Sequence, residues 1–209
     1  MLISAAPSDV LAIPGLPGNQ LLTFVNTIDA NGNGTRTNDF SLAWDVNFRV
    51  LQTFESLLQT DTANADDTDV YLYGPDGHLA IAGTAASSLN SISADTWYRI
   101  VMTSENYGGL NHTNFYVDGA LTGPDITSGV DGLISLSQTG THLFSDNSGD
   151  TGDAYLNSFA VWNGVLTASE ISSMGSASSA GFTSSVPEPG VASLGFLGLA
   201  AILTRRRRR

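Results

Sequence analysis

The sequence predicts an all-β protein, a jelly-roll sandwich of two antiparallel sheets with one short helix, followed by a C-terminal hydrophobic helix. Residues 40–48 alternate between large apolar side chains and small or polar ones, which is the period of a strand. The tetrapeptide 117–120 contains an Asp-Gly pair, the preferred sequence of a two-residue β-hairpin turn. Strand-like segments also recur about every ten residues between turn signals, as in β-sandwiches.

The strands are predicted in order along the chain. The alternating strand 40–48 is expected to face a core on one side. Segment 97–123 contains two strand patterns, a polar connector at 104–113, and the hairpin. That hairpin sets Val117 opposite Ala120 and Tyr116 opposite Leu121, so apolar groups occur on both faces and we expect both to be covered. The other predicted strands are 21–25, 56–60, 70–73, 79–82, 132–136, 141–144 and 154–162.

One helix is predicted at 167–174. Thr167 and Glu170 form a capping box, Leu166 is placed to pack against Ile171, and Gly175 supplies the residue that ends the helix. We therefore divide the chain into an N-terminal segment (1–19), a domain (20–175), a linker rich in Ser, Ala and Gly (176–185) and a C-terminal tail (186–209).

Charge is distributed unevenly along the 209 residues. The sequence has no lysine, and five of its eight basic residues form the terminal run, so residues 1–204 carry three basic against twenty acidic side chains, a net charge of −17. Nucleic-acid binding needs clustered cations, so we do not expect a nucleic-acid partner. Sixteen of the acidic residues are Asp, which favours turns and oxygen-lined metal sites. The absence of cysteine excludes disulfides and thiol catalysis.

The tail combines a Val-Pro-Glu-Pro motif, an apolar run at 190–203 and a terminal arginine cluster. It resembles the PEP-CTERM sorting signal of exopolysaccharide-producing bacteria. This resemblance implies transient insertion in the inner membrane, recognition and removal of the tail by an exosortase-type enzyme, and delivery to the outer cell surface or extracellular matrix. Residues 1–18 lack the pattern of a secretory signal, so we expect a misassigned start or a trimmed N-terminus. The alternative is that the tail alone directs export. The signal residues are Val186, Pro187, Glu188, Pro189, Arg205, Arg206, Arg207, Arg208 and Arg209.

Four segments, 97–101, 115–119, 156–163 and 166–171, occur in the order typical of one family. Over residues 20–175 the chain resembles the laminin-G-like, concanavalin A-like lectin/glucanase superfamily. The resemblance implies a jelly-roll sandwich, but the superfamily includes lectins, adhesive modules and glycosidases. Its hydrolases carry Glu-x-Asp-x-Glu along one strand, and this spacing does not occur here, so we expect no enzymatic activity.

Two Asp- and Asn-rich loops are candidate Ca²⁺ sites, and bound Ca²⁺ is the only cofactor we expect. The first copies half of an EF-type loop, but Phe40 stands where a closing Glu is needed. The second concentrates three carboxylates and an amide within eight residues. A plain turn remains the alternative for each loop. The candidate ligands are Asp29, Asn31 and Asn33 in the first loop, and Asp146, Asn147, Asp150 and Asp153 in the second.

Aromatic side chains are candidate sugar contacts, because their rings offer an apolar face to a pyranose and a polar edge to its hydroxyls. Tyr107 lies in the polar connector and is the best exposed candidate, and Tyr71 and Tyr73 lie in a predicted strand. Packing against the sheet is the alternative. The carboxyl group of Asp69 is interpreted as part of a solvated turn that leads into that strand.

These observations lead to one hypothesis and two alternatives. The leading hypothesis is a non-catalytic, secreted or surface-delivered domain that binds a polysaccharide or matrix glycan. The first alternative is a structural or adhesive module that binds another protein. A glucanase-like glycoside hydrolase is the second alternative and has less support, because the carboxylate pair is missing.

Overall fold

The computed structural model describes residues 2–3, 6–15, 22–62, 69–74, 76–83, 92–146, 150 and 153–182. Within these ranges, two antiparallel sheets pack face to face, which confirms the predicted sandwich. The strands are β1 (Leu2–Ile3), β2 (Ala6–Pro7), β3 (Leu11–Ile13), β4 (Leu22–Phe24), β5 (Phe40–Phe48), β6 (Glu55–Gln59), β7 (Val70–Tyr73), β8 (His78–Ile81), β9 (Trp97–Tyr107), β10 (Leu110–Val117), β11 (Ala120–Leu121), β12 (Ile126–Gly129), β13 (Thr141–Leu143) and β14 (Ala154–Asn163), and the helix is α1 (Ala168–Met174).

The larger sheet has the strand order β11-β10-β9-β5-β14-β3, with β12 paired to the other half of the same edge of β10. The smaller sheet has the order β4-β13-β6-β7-β8, and β1 pairs with β2 alone. The main apolar core lies between the two sheets. Trp44 and Phe40 reach it from the larger sheet, and Leu58 and Leu72 reach it from the smaller one, all without exposed surface.

Strand β5 is buried on both faces, whereas the sequence predicted a core on one side only. All nine of its residues are buried. Ala43, on the face away from the main core, joins Val101 of β9 and Leu166 and Ile171 from the helical region in a second apolar cluster. The one-sided prediction was wrong because the covering layer comes from residues more than 120 positions further along the chain, which local periodicity does not register.

The predicted polar connector 104–113 is also corrected. It forms the ends of β9 and β10, which turn at Gly108 and Gly109 with positive φ angles of 62° and 84°. Its inward-facing polar side chains form a buried hydrogen-bond network in place of an apolar core. Asn111 Nδ2 donates to Asn38 Oδ1 at 2.8 Å and to the carbonyl of Ile134 at 2.9 Å. The polar composition of residues 104–113 therefore predicted a connector where the structure has the ends of two strands.

The hairpin and the helix follow the sequence closely. Asp118 and Gly119 have φ angles of 51° and 83°, and the predicted register of Tyr116 with Leu121 is confirmed, although Leu121 is 55% exposed and so is not covered. In α1 both halves of the capping box form: Thr167 Oγ1 accepts from the Glu170 N–H at 3.2 Å, and Glu170 Oε2 accepts from the Thr167 N–H at 2.7 Å.

Several strand predictions fail or shift. The predicted strand 132–136 is absent from the described structure apart from one bridge between Leu136 and Thr37. Strands β1, β2, β3 and β12 were missed, because two to four residues give too short a pattern to detect. The remaining predicted strands agree with the structure to within one residue at each end.

The segment predicted as a linker, 176–185, is described as far as Phe182, and up to that residue it packs on the larger sheet. Arg99 of β9 binds Asp45 of β5 through two hydrogen bonds of 2.7 Å each. The same guanidinium donates to the carbonyls of Met174 and Gly181 and lies 4.7 Å from the centre of the Phe182 ring. Residues 175–182 are thus held by the sandwich.

Candidate functional site

Three aromatic side chains form a cluster on the outer face of the smaller sheet. Strand β7 alternates: Val70 and Leu72 point into the core, so Tyr71 and Tyr73 lie on the opposite, outer face, and both are partly buried. Phe54 precedes β6, and its ring centre lies 5.6 Å from the centre of each tyrosine ring. Phe54 is 44% exposed. We call Phe54, Tyr71 and Tyr73 the aromatic patch.

The second predicted calcium loop begins next to this patch. Ser56 is paired in register with Tyr71, and its hydroxyl donates to the Ser145 carbonyl at 3.1 Å. Asp146 is fully buried, and its Oδ1 accepts from the Asp150 N–H at 2.9 Å. Asn147 lies outside the described residues. The structure therefore brings two separately predicted features, the tyrosines of β7 and the start of the Asp-rich loop, to one part of the smaller sheet.

His142 of β13 lies on the same outer face. Its Nδ1 is 2.8 Å from the hydroxyl of Thr23 on the neighbouring strand β4. Burial lowers the pKa of this imidazole, and the nearby carboxylate of Asp146 opposes that shift in part. His142 is therefore uncharged at neutral pH.

Asp153, at the end of the Asp-rich loop, already has a cationic partner. Arg49 pairs with its carboxylate at 3.1 Å and lies 5.3 Å from the centre of the Tyr155 ring. Glu55 is close enough for the two negative charges to repel each other, although the larger effect on Glu55 is burial, which raises the pKa of its carboxyl group to about 7. Nothing local in the sequence around Glu55 indicates this pair, because Asp153 lies far along the chain.

In the first predicted calcium loop, the side-chain amides form hydrogen bonds that fix the conformation of the loop. Asn31 Oδ1 accepts from the N–H groups of Asn38 and Asp39, both at 2.7 Å, and Asn33 Nδ2 donates to Asn106 at 3.2 Å. The carboxylate of Asp29 is exposed. In the described ranges, no three His, Asp or Glu side chains are arranged to hold a metal ion.

Asp131 anchors this loop from a neighbouring segment. Its carboxylate accepts from the N–H groups of Thr35 and Arg36, at 2.7 and 2.9 Å, and from Asn38 Nδ2 at 3.0 Å. These bonds, led by that from Asn38, hold the pKa of Asp131 well below its ordinary value. Nothing local in the sequence around residue 131 signals this role, because all of the partners lie about 95 residues away.

A polar cleft of ≈ 330 Å³ opens beside this anchor. Arg36 pairs with Asp61 at 2.5 Å on its wall. Asp69, interpreted from sequence as solvated, is instead buried, and its Oδ2 accepts from the N–H and hydroxyl of Thr60 at 2.6 and 2.7 Å. Burial raises the pKa of Asp69 to about 6.

Tyr107 is exposed, as predicted, but it lies apart from the aromatic patch. It ends β9 of the larger sheet and is 52% exposed. Its ring stacks on that of His112, with ring centres 3.5 Å apart and planes within 9°. Nδ1 of His112 lies 2.5 Å from Asp125 Oδ2. The three tyrosines predicted to contact sugar therefore divide between the two sheets.

The predicted sorting signal, from Val186 to Arg209, lies outside the described residues. Among the residues that are described, no helix is both long enough and apolar enough to span a membrane.

Comparison with known proteins identifies the fold. A family model for the concanavalin A-like lectin/glucanases superfamily, Laminin_G_3, matches residues 24–172. No curated protein matches the chain. The chain is similar to a heptameric SAP-like pentraxin from Limulus polyphemus, with 16% identity and a TM-score of 0.50, over 75% of this chain and 77% of the pentraxin. It is also similar to Trypanosoma rangeli sialidase in complex with sialic acid, with 19% identity and a TM-score of 0.53, over 78% of this chain and 26% of the sialidase.

Proposed function

Because the chain belongs to the concanavalin A-like lectin/glucanases superfamily, we propose that it is a non-catalytic domain of the cell surface or extracellular matrix that binds a polysaccharide or matrix glycan. The observation that carries this proposal is the aromatic patch, where the partly exposed Phe54 ring lies 5.6 Å from two tyrosine rings. Adjacent rings of this kind bury the apolar faces of sugars, while the tyrosine hydroxyls and nearby polar groups bond to sugar hydroxyls.

The surroundings of the patch suit a sugar. The register places His78, which is only partly buried, opposite Tyr73 on β8. An imidazole both donates and accepts hydrogen bonds, as sugar hydroxyls do. Because the patch lies on a sheet held from below by a packed core, its rings are pre-organised, which reduces the entropy lost on binding.

A glycan array tests this proposal, run first with Ca²⁺ and then with a chelator. We expect a signal from at least one polysaccharide, and we expect Phe54→Ala to lose it while Tyr107→Ala, a change to an exposed tyrosine on the other sheet, retains it. No signal in either condition, together with capture of a defined matrix protein, would instead support the adhesive alternative. That alternative draws on the exposed side chains of Tyr107 and Leu110 beside the β9–β10 turn.

We include in this proposal a Ca²⁺ ion bound by the Asp-rich loop. Asp146 follows Ser145, whose carbonyl accepts from Ser56 next to the patch, and Asp150 is joined to Asp146 by a hydrogen bond from its N–H. Carboxylate oxygens are the ligand type that Ca²⁺ prefers. Asp153 is less suited, because Arg49 neutralises it. Bound Ca²⁺ would fix the loop against the smaller sheet and so hold one border of the sugar site.

We further propose that the domain does not hydrolyse glycans. Glu55, whose raised pKa would suit a general acid, has no exposed surface, and Asp69 is 1% exposed and bound by Thr60. A general acid has to reach the glycosidic oxygen of a bound substrate. Release of reducing ends from any member of a broad polysaccharide panel would contradict this part of the proposal.

Delivery to the surface is proposed from the resemblance of residues 186–209 to an exosortase signal. In a host that carries the sorting system, we expect the extracellular protein to end near Pro187–Pro189 by mass spectrometry. Deleting the terminal arginines should leave the chain unprocessed. A secreted protein that retains the whole tail would contradict the proposal.

A further inference from the structure

The rings of the aromatic patch do not share one plane. The Phe54 ring is inclined by 69° to the ring of Tyr71 and by 56° to the ring of Tyr73, with ring centres 5.6 Å apart in both pairs. A flat surface that lies on the face of Phe54 therefore meets each tyrosine ring at a steep angle, and one that lies on a tyrosine meets Phe54 in the same way. The patch is thus a corner rather than a flat platform.

The main chain before β6 determines where the Phe54 side of this corner stands. Residues 52–54 are all exposed, so burial of their own side chains does little to fix them. The fully buried Glu55 closes a turn on this segment, because its Oε1 accepts from the Gln52 N–H at 2.7 Å. The Thr53 carbonyl accepts from the Gly74 N–H at 3.4 Å. The segment is therefore bound both to the buried start of β6 and to the residue that follows β7.

Gly74 permits the close approach of these two segments. Its φ angle lies outside the positive region, so the backbone conformation alone does not require glycine here. A Cβ atom at this position would lie 1.6 Å from the carbonyl oxygen of Gln52 and 2.9 Å from its nitrogen. Any side chain on residue 74 would consequently push the turn, and Phe54 with it, away from the tyrosines. The corner is thus formed in the folded domain before a ligand binds, which reduces the entropy lost on binding.

The angle between the rings bears on the physical form of the glycan. In a single chain, neighbouring sugars rotate about the glycosidic bond, so one sugar can lie on Phe54 while the next lies on a tyrosine. In a crystalline polysaccharide, packing holds the exposed sugar rings in a common plane. Such a surface would lie on one ring of the patch and meet the next ring only at its edge, and so would lose much of the apolar contact.

We propose that the aromatic patch recognises single, soluble glycan chains and does not bind the flat faces of crystalline polysaccharides, an inference that rests on the proposed glycan-binding function. Phe54 and Tyr73 contact successive sugars on the two sides of the corner. Glu55 and Gly74 are positioning residues, which hold Phe54 at its angle without contacting the ligand.

The experiment offers the full chain the same polymers in two physical forms. The polysaccharide that gives a signal on the glycan array, together with cellulose, chitin and β-mannan, is presented as soluble chains and as crystalline particles, and affinity is compared per mole of accessible chain. We expect a soluble form to bind at least about 10-fold more tightly than its crystalline form, because the crystal face loses one stacked ring. Equal or tighter binding of the crystalline form would overturn the inference while leaving glycan binding intact. Failure of every form to bind would instead remove the proposed function.

Two pairs of variants test the positioning residues with the soluble chain. Gly74→Ala should weaken binding by at least about 10-fold, whereas Gly129→Ala, at a glycine whose added Cβ would meet no atom within 4 Å, should bind like the wild type. Glu55→Leu removes the acceptor of the Gln52 N–H and should weaken binding several-fold, whereas Glu55→Gln keeps an acceptor oxygen and should retain it.

The melting temperature of each variant is measured beside its affinity, and the Glu55 pair decides the question if Gly74→Ala does not fold. Wild-type affinity in a folded Gly74→Ala or a folded Glu55→Leu would overturn the assignment of these positioning residues. Equal losses in Glu55→Leu and Glu55→Gln would do the same, because the acceptor oxygen would then be irrelevant.

Discussion

The carboxyl group of Glu55 is buried between the two sheets, and its position there changes its pKa. Its Oε1 accepts from the Gln52 N–H at 2.7 Å, while Oε2 is buried and has no hydrogen-bond partner among the described residues. Burial is the main cause that raises its pKa to about 7 from an ordinary 4.5, and repulsion from Asp153 adds to it. The folded protein therefore binds a proton at pH values where the unfolded chain has released it.

This raised pKa predicts how stability depends on pH. Between about pH 4.5 and 7 the folded state holds more protons than the unfolded state, so the free energy of unfolding should fall as pH rises through that window, by roughly 1 to 3 kcal/mol. Glu55→Gln should flatten this decline and be at least as stable as the wild type at pH 8, measured by urea unfolding. Glu105→Gln, at an exposed position, is the control. If the free energy of unfolding of Glu55→Gln fell with pH as steeply as that of the wild type, this explanation would be contradicted.

Asp131 gives the opposite pH dependence. Because its pKa is held low by the N–H groups of Thr35 and Arg36 and by Asn38, its contribution is present above the pKa of an ordinary Asp and is lost as pH falls. Asp131→Asn should lower the free energy of unfolding by about 1 to 3 kcal/mol at pH 7, and by progressively less towards pH 2. A penalty that is constant over this range would show that the carboxylate charge plays no part.

Individual side chains were predictable from the sequence where their role is set by their immediate neighbours. The cap at Thr167 and Glu170 is confirmed, because both partners lie within one turn. The roles of Glu55 and Asp131 were not predictable, because their environments depend on contacts about 95 residues away. Tyr71 and Tyr73 were identified as candidates, but Phe54, which joins them, precedes its strand and has no periodic pattern to mark it.

At the scale of elements, the Arg99–Asp45 pair joins three parts of the fold. It connects β9 to β5 and, through the carbonyls of Met174 and Gly181, fixes the segment after α1. Both side chains are nearly without solvent contact, so each charge depends on the other. The strands were predictable from alternation, but this covering layer was not, because residues 176–182 have the composition of a linker.

Breaking the pair should be costly. Arg99→Met would leave the Asp45 carboxylate buried without a counter-charge, and we expect the free energy of unfolding to fall by about 3 to 5 kcal/mol. Arg49→Met, which breaks the exposed pair with Asp153, should cost no more than about 1 kcal/mol. Adding Asp45→Leu to Arg99→Met should recover part of the loss, since no unpaired charge then remains buried. Similar costs for the two single variants would contradict the assignment of the buried pair.

At the scale of the whole molecule, the sandwich follows from the strands, but its two outer faces differ. The larger sheet is covered in part by α1 and residues 175–182, whereas the smaller sheet presents the aromatic patch and the Asp-rich loop. The alternation of apolar and polar residues predicted the sheets, because it indicates which side chains face the core. It could not predict which outer face is covered, since that depends on how distant segments pack.

The proposed calcium site predicts an effect of Ca²⁺ on the stability of the whole folded chain. A ligand that binds only the folded state raises the melting temperature, by an amount that grows with ligand concentration. We expect millimolar Ca²⁺ to raise the melting temperature of the wild type, and Asp150→Asn to remove most of that shift, while Asp29→Asn retains it. An unchanged melting curve with Ca²⁺ would contradict the proposed ion site.

Glycan recognition by the aromatic patch is tested most directly by calorimetric titration of the protein with a polysaccharide that gives a signal on the glycan array. We expect Tyr73→Ala to weaken binding by at least about 10-fold, because one stacked aromatic ring of the binding site is lost, and Tyr107→Ala to bind like the wild type. Both variants should keep the wild-type melting temperature to within a few degrees. Wild-type affinity in Tyr73→Ala together with lost affinity in Tyr107→Ala would place the sugar on the larger sheet and contradict the account.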